Sequence, residues 1–243
     1  AKDDGRNAFR FFDAQMNSSV AEHLQLISGM RVALQQNQFV LYYQPQFELA
    51  SGRLVGVEAL LRWLHPQQGL ITPTTFIPLA EKSGLIIEIG TWVLQEACRQ
   101  AVQWQQAGLP PLLMSVNLSP VQVRRAGIEQ VVLDALVDSG LAAEHLELEL
   151  TESMLIDDSD GLTQLLGRLR GRGVGIAIDD FGTGYSNLGY LKRFAVERLK
   201  IDQSFIRHLS EDGDNEVIVR AIIQMAHSLK LMTVAEGIED AAT

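Results

Sequence analysis

Oxygen-bearing side chains stand at the ends of several apolar, strand-like runs of this sequence. They are Glu58, Asn117, Glu149, Asp179, Asp180 and Glu236. A carboxylate without a partner is costly inside an apolar core, so acids repeated at strand ends need cations or other partners. Because the set consists of hard oxygen donors without histidine or cysteine, it favours Mg²⁺ or Mn²⁺ over zinc. The pattern predicts a metal site at one rim of a sheet.

The adjacent acids Asp179 and Asp180 make this prediction sharper. Neighbouring carboxylates repel each other unless cations lie between them, and one carboxylate can bridge two metals about 3.5–4 Å apart. A two-metal centre suits the hydrolysis of phosphate esters. Each acid taken singly could equally be a helix cap or a first-turn residue, but capping does not explain six such side chains converging on one rim.

The elements that must position these residues alternate between strands and helices. Strands are predicted at 39–45, up to Glu58 and Arg62, 112–118, 146–151, 174–180, 196–202 and 232–237, which makes seven, and helices at 20–38, 86–106, 127–139, 159–171 and 215–230. The first two strands are so close in sequence that they predict an antiparallel hairpin, the first stopped by Pro45. The later βα repeats predict an α/β fold with a parallel sheet, whose active groups lie where strands end.

Composition limits the classes of function. The length of 243 residues and the 47% hydrophobic content suit one large α/β domain. A net charge of −10 argues against a general DNA or RNA partner, because such binding needs many cations. Cys98 is the only cysteine, and no apolar run reaches the roughly 20 residues of a membrane span. We expect a cytoplasmic protein, or one at the cytoplasmic face of the inner membrane if a parent protein supplies the membrane segment.

Eight short motifs give the chain a specific resemblance. They are YYQP, EALLRW, FIPLAE, NLS, ELTE, DDFGTGYS, LKID and AEGIE, in this order. With them, residues 20–243 resemble the EAL domain, a family of cyclic di-GMP phosphodiesterases. The resemblance implies a modified TIM (β/α)8 barrel with an antiparallel first strand. It also implies hydrolysis of cyclic di-GMP to linear pGpG, two Mg²⁺ or Mn²⁺ ions, and a homodimer through the barrel.

The same resemblance implies roles for single residues. The implied metal ligands are Glu58, Asn117, Glu149, Asp179, Asp180 and Glu236; the catalytic residues are Lys200, Glu236, Glu58 and Asp180; the substrate-binding residues are Gln44, Arg62, Asn117 and Asp180; and Glu152 anchors the glycine-rich loop. Simpler roles remain open for four of them. Lys200 could be a surface lysine, Arg62 a rim salt bridge, Gln44 a turn cap and Glu152 a first-turn acid.

Both ends of the chain carry information about the parent protein, and a second function is possible. Residues 1–19 resemble the closing stretch of a GGDEF domain and a linker, which predicts a composite signalling protein. The eighth strand, the final helix and the QGY motif of the family are missing before Thr243, so we expect the barrel to be incomplete here. The alternative function is a catalytically weak or inactive EAL domain that acts as a cyclic di-GMP receptor or a regulatory interaction module.

Overall fold

The fold is described from a computed structural model that covers residues 14–125, 127–156, 160–184, 191, 194, 196–207, 209 and 213–238. The helices are α1 Ala14–Gln35, α2 Pro73–Ser83, α3 Ile86–Gln106, α4 Pro120–Arg124, α5 Ile128–Ser139, α6 Glu152–Ile156, α7 Asp160–Gly171, α8 Gln203–Ile206 and α9 Gly213–Ser228. The strands are β1 Phe39–Phe47, β2 Leu54–His65, β3 Gly69–Ile71, β4 Leu113–Asn117, β5 Leu146–Thr151, β6 Gly175–Phe181, β7 Arg198–Ile201 and β8 Met232–Ala235.

The strands form one mixed sheet in the order β1-β2-β4-β5-β6-β7-β8, with β3 antiparallel to β2. From β2 to β8 each neighbouring pair is parallel. Leu64 N bonds Gln38 O and Glu48 N bonds Arg53 O, so β1 and β2 run in opposite directions. An antiparallel first strand followed by parallel strands linked through helices confirms the α/β class and the modified TIM barrel.

Three details of the predicted elements were wrong. Pro45 does not stop β1, which continues to Phe47. Strand β1 lies at one end of the sheet order, and an edge strand tolerates a residue without an N–H. The sheet has eight strands rather than seven, since the three-residue strand β3 is too short to show a period. Helix α1 begins at Ala14 rather than near Val20. The predicted tail up to residue 13 and the outer part of the glycine-rich loop, 185–188, lie outside the described residues.

The chain divides into two compact units. The first comprises Arg62–Ile86 with the described part of Ala1–Val40. Its core is an aromatic cluster in which Phe39, Trp63 and Phe76 lie 5.8 Å apart, centroid to centroid. Trp63 also donates a hydrogen bond to the side chain of Gln38 at 3.2 Å. Contacts of this kind bury large apolar surfaces and fix their orientation.

The second unit, Leu41–Leu61 with Ile87–Thr243, holds most of the sheet. Its strand β5 is buried on both faces, as expected for a parallel strand covered by helices. Leucines and glutamates alternate along it, so Leu146, Leu148 and Leu150 occupy one face while Glu147 and Glu149 occupy the other. A face of a buried strand that carries two carboxylates must provide them with partners. Within the described residues, no helix is both long and apolar enough to cross a bilayer.

Candidate functional site

A buried lysine lies at the centre of the strand-end acids. Lys200, on β7, is only 1% exposed. Its Nζ lies 2.9 Å from Glu58 Oε2, 2.8 Å from Glu149 Oε2, 3.0 Å from Asp179 Oδ1 and 2.8 Å from Glu236 Oε1. The alternative of a surface lysine is therefore excluded. We call Lys200, these four carboxylates and Asn117 the lysine layer.

Strand register explains how distant residues meet in the lysine layer. Asn117, at the end of β4, pairs in register with Glu149 on β5, and its Nδ2 donates to Glu58 Oε1 at 2.7 Å. Lys200 on β7 reaches Glu58 on β2, although β4, β5 and β6 lie between them in the sheet order. The sheet must be curled for this contact to form. The curl brings the carboxyl ends of parallel strands to one place, as the strand-end pattern predicted.

The backbone at Asp180 departs from a regular strand. The pairing of β6 with β7 shifts register between Ile178 and Phe181, which is a β-bulge, and Asp180 has a φ of 55°. In a regular strand, successive side chains point to opposite faces. Here oxygens of Asp179, Asp180 and Glu236 all lie within 4.8 Å of one another. The irregular backbone thus lets both adjacent aspartates face one site.

Glu152 joins the start of a helix to the glycine-rich loop. It is the first residue of α6, is buried, and its Oε2 accepts a hydrogen bond from Gly182 N at 3.1 Å. A Cβ added at Gly184 would lie 3.2 Å from the Glu152 carboxyl group, so a larger residue there would push this carboxyl group by a few tenths of an ångström. Glu152 is therefore both a first-turn acid of α6 and a hydrogen-bond partner of the glycine-rich loop.

Gln44 and Arg62 were predicted to bind the substrate. Gln44 is exposed and lies within β1, so the alternative of a turn cap is wrong. Arg62 is half-buried and lies four residues beyond Glu58 on β2. An even separation along a strand places both side chains on the same side of it. The roles of Gln44 and Arg62 toward a ligand remain predictions.

Burial and crowding of like charges shift the pKa values of the site. Burial disfavours the charged form of Lys200, but attraction to Glu149, Glu58, Asp179 and Glu236 outweighs it and raises the pKa of the ammonium. Burial, partly opposed by Lys200, raises the pKa of Glu236 to about 7. Burial also raises the pKa of Glu149 well above its ordinary value. The lysine therefore stays charged at neutral pH, while the buried glutamates resist ionisation.

Burial and then repulsion by Asp179 and Asp202 raise the pKa of the Asp180 carboxyl group. Asp202 behaves in the opposite way, because hydrogen bonds from Ser204 outweigh its burial and lower its pKa. Its side chain caps α8 by accepting from Ser204 N at 2.9 Å. Asp202 thus adds negative charge next to Asp180 while its own hydrogen bonds are satisfied.

The residues present fit divalent cations. Two groups of three carboxylates have ligand atoms within 4.8 Å of one another, and Asp179 belongs to both: Glu58, Glu149 and Asp179, then Asp179, Asp180 and Glu236. Glu149 Oε1 is buried and has no hydrogen-bond partner among the described residues. A buried, unpartnered carboxylate oxygen in an all-oxygen donor set is suited to a hard cation such as Mg²⁺ or Mn²⁺.

Sequence reasoning missed a second polar cluster, which shares β4, β5 and β7 with the lysine layer. Ser115 Oγ donates to Glu147 Oε1 at 2.8 Å, Arg198 Nε lies 3.3 Å from Glu147 Oε2, and Arg198 Nη1 donates to Gln46 Oε1 at 3.4 Å. We call these four residues the arginine layer. The signal was the spacing of two residues between Glu147 and Glu149 and between Arg198 and Lys200, which places each pair on one face of its strand.

A family model and two curated proteins are similar to this chain in sequence. The EAL domain family model matches residues 28–243. The chain is 50% identical over 242 residues to the bifunctional diguanylate cyclase/cyclic di-GMP phosphodiesterase MucR of Pseudomonas aeruginosa, covering 100% of this chain and 35% of MucR. It is 44% identical over 235 residues to the cyclic di-GMP phosphodiesterase NbdA of the same organism, covering 97% of this chain and 30% of NbdA.

A solved structure of the PaMucR phosphodiesterase in a c-di-GMP complex is also similar. Its TM-score is 0.86 at 50% identity, and the match covers 90% of this chain and 88% of that one. The chain spans about a third of the length of the curated relatives it matches.

Proposed function

We propose that this chain, which belongs to the EAL domain family, is a metal-dependent phosphodiesterase that hydrolyses cyclic di-GMP to linear pGpG in bacterial second-messenger signalling. The observation that carries the proposal is the pair of three-carboxylate groups that share Asp179. The names of MucR and NbdA, and the c-di-GMP complex of PaMucR, support the choice of substrate.

The groups that would hold two Mg²⁺ or Mn²⁺ ions are the carboxylates and the amide at the strand ends. They are Glu58, Asn117, Glu149, Asp179, Asp180 and Glu236. Bound there, the ions supply Lewis-acid chemistry, since they lower the pKa of a water and neutralise charge on the phosphate. The carboxylates would hold the ions in place, and the buried position of Glu149 would exclude bulk water from that side.

Lys200 has the role of a fixed positive charge. Four carboxylates hold its ammonium and raise its pKa, so it keeps its proton at neutral pH. A lysine that does not release its proton stabilises the negative charge that develops on the phosphoryl oxygens, and does not act as an acid. Its burial fixes its direction, which limits reorganisation during the reaction.

Glu236 is the group suited to accept a proton. In the metal-free chain burial raises its pKa to about 7, and a cation bound beside it would lower that value, so at neutral pH Glu236 is ionised and able to accept a proton. As the oxygen of the water bonds to phosphorus, the bond from phosphorus to the 3′ oxygen breaks in line with it. A proton of the water passes to Glu236, and the departing 3′ oxygen takes a proton from solvent to become the 3′ hydroxyl of pGpG. The assignment of the 3′ oxygen follows from the family.

The remaining predicted roles concern binding. Gln44, Arg62, Asn117 and Asp180 would contact the substrate, and the guanidinium of Arg62 suits a phosphate because it can donate two parallel hydrogen bonds. Glu152 would hold the glycine-rich loop through Gly182. A homodimer through the barrel, the absence of a DNA or RNA partner and a place in a GGDEF-EAL protein are parts of the same proposal.

The test compares hydrolysis by the wild-type chain with that by Asp180→Asn. With Mg²⁺ or Mn²⁺ present, we expect linear pGpG from the wild type and at least about a 100-fold loss in the variant, with Tm unchanged. Asp138→Asn, on the exposed side of α5, removes the same charge away from the site and serves as the matched control. Equal hydrolysis by Asp180→Asn would refute the metal-centre assignment. Binding of cyclic di-GMP by the wild type without product would support the receptor alternative.

A further inference from the structure

The arginine layer encloses a charged pair directly beneath the lysine layer. Glu147 is 2% exposed and the side chain of Arg198 is 13% exposed. Both oxygens of Glu147 have a partner, Ser115 on one and Arg198 on the other. Nε of Arg198 forms no hydrogen bond in the described part of the chain, so its attraction to Glu147 is mainly electrostatic.

Small residues make the pairing across the sheet possible. Glu147 on β5 and Arg198 on β7 are separated by β6, where Gly175 lies in register with Glu147 and Ala177 with Arg198. A Cβ added at Gly175 would contact Glu147 at 3.5 Å. With no larger side chain from β6 between them, the two long side chains meet over that strand. The Glu147–Arg198 pair thus lies buried on one face of the sheet, across β6.

Arg198 lies close enough to the lysine layer for its guanidinium to compete with a metal cation for Glu149. Arg198 lies two residues from Lys200 on one face of β7, and Glu147 lies two residues from Glu149 on one face of β5. Without Glu147, the next carboxylate along that face of β5 is Glu149, whose Oε1 is buried and unpartnered among the described residues. A guanidinium attracted to that oxygen would take the place of a metal cation.

We propose that Glu147 is a positioning residue that holds the Arg198 guanidinium in the arginine layer and so keeps it from competing with divalent cations for Glu149. The inference rests on the proposed function, because it assumes that Glu149 binds a metal. Glu147 acts through Arg198 and touches neither metal nor substrate. Gln46 supports the same arrangement, since it accepts a hydrogen bond from Arg198 Nη1.

The test measures Mn²⁺ binding to the 243-residue chain by calorimetry, without nucleotide. Glu147→Gln leaves the Arg198 charge unpaired, and we expect about tenfold weaker Mn²⁺ binding. The double variant Glu147→Gln with Arg198→Met removes the competing guanidinium, and we expect binding within about twofold of the wild type. A packing role of Glu147 would not give this rescue. Unchanged affinity in Glu147→Gln, or a double variant as weak as the single one, would overturn the inference.

An exposed ion pair provides the matched controls. Arg168 on α7 contacts Glu129 on α5 at 2.6 Å, and Glu129→Gln and Arg168→Met change the net charge by the same amounts as the test variants. We expect Mn²⁺ affinity to remain unchanged in both. If Glu147→Gln does not fold, Arg198→Met alone decides: affinity equal to or tighter than wild type supports the inference, and weaker affinity overturns it.

The wild-type chain separates the two proposals. If it binds Mn²⁺ but hydrolyses no cyclic di-GMP, the proposed function fails, while the comparison of Glu147→Gln with the double variant still decides the role of Glu147. If it binds no Mn²⁺, the inference fails together with the metal requirement.

Discussion

The lysine layer and the arginine layer share strands β4, β5 and β7, on which their residues lie two positions apart, and they differ in charge balance. In the arginine layer one cation, Arg198, faces one carboxylate, Glu147. In the lysine layer one cation, Lys200, faces four carboxylates. Burial is similar in the two layers, so burial alone does not distinguish them. The excess of negative charge marks the layer in which further cations are needed.

This comparison shows why the same strands carry both a stable core and a reactive site. A buried charge with one oppositely charged partner is neutralised and needs no further cation. A group of carboxylates with one lysine raises the free energy of the folded chain until a cation binds, and that unfavourable energy then contributes to metal affinity. Substitutions or pH changes that alter the charge balance of one layer therefore test this difference.

The largest effect is expected from removing the cation of the lysine layer. Lys200→Met leaves four carboxylates without their shared partner, so hydrolysis should fall about 100- to 1,000-fold. Without metal, loss of the buried partner should cost about 3 kcal/mol of unfolding free energy and lower Tm by roughly 6–12 °C. Thermal unfolding in EDTA and product chromatography measure both. Lys82→Met, on the surface of α2, is the control, and an unchanged Tm in Lys200→Met would contradict the account.

Reducing the excess negative charge should separate stability from function. Burial raises the pKa of Glu149, so the folded chain disfavours its ionised form at neutral pH, whereas glutamine carries no charge. Glu149→Gln should therefore raise the Tm of the metal-free chain by roughly 2–4 °C while weakening Mn²⁺ binding about 10- to 100-fold. The exposed Glu144→Gln controls for the change in net charge. A variant that loses stability and keeps its metal affinity would show that Glu149 serves only Lys200.

The pH dependence should follow the same excess of carboxylates. The pKa of Glu236 is raised to about 7 in the folded chain, so the folded state binds this proton more tightly than the unfolded state. The resulting stability is present below the pKa of an unfolded glutamate and is lost as pH rises through about 7. In EDTA, Tm should fall by roughly 2–4 °C between pH 5 and pH 7.5, and Glu236→Gln should flatten this change. A Tm that rises over this range would oppose the assignment.

The smallest effect is expected in the arginine layer. Ser115→Ala removes the hydrogen bond to Glu147 Oε1, while Arg198 still neutralises the carboxylate. The loss should be about 1 kcal/mol, or roughly 2–4 °C in Tm, with hydrolysis within about twofold of the wild type. Steady-state kinetics and thermal unfolding test this pair of values. A large loss of hydrolysis at unchanged Tm would mean that the two layers do not differ in function as their charges indicate.

Much of the fold followed from local patterns. The run that became β6 is apolar up to its two aspartates, and the run that became β5 alternates leucine with glutamate, so both strands and the acids near their ends could be predicted. Strand β3 and the part of β1 beyond Pro45 could not, because a three-residue strand has no period and an edge position is a property of the whole sheet.

The sequence predicted which residues form the candidate site better than it predicted which of them contact each other. The sequence pattern predicted that Glu58, Glu149 and Asp179 converge at strand ends; they do converge, although Glu58 lies within β2 rather than at its end. That one ammonium would contact four carboxylates depends on the curl of the sheet, which no local pattern records. The pairing of Glu147 with Arg198 depends in addition on Gly175 and Ala177 in the strand between them.

The left-handed backbone at Asp180 has a consequence for how this site can change through evolution. With a φ of 55°, the position favours Gly, Asn and Asp, and of these only Asp is ionisable. Asparagine keeps the backbone and the shape of the side chain while removing the charge, and codons for Asp and Asn differ by a single nucleotide. On the proposed function, one point mutation therefore leads from a hydrolytic domain to a folded domain that lacks turnover.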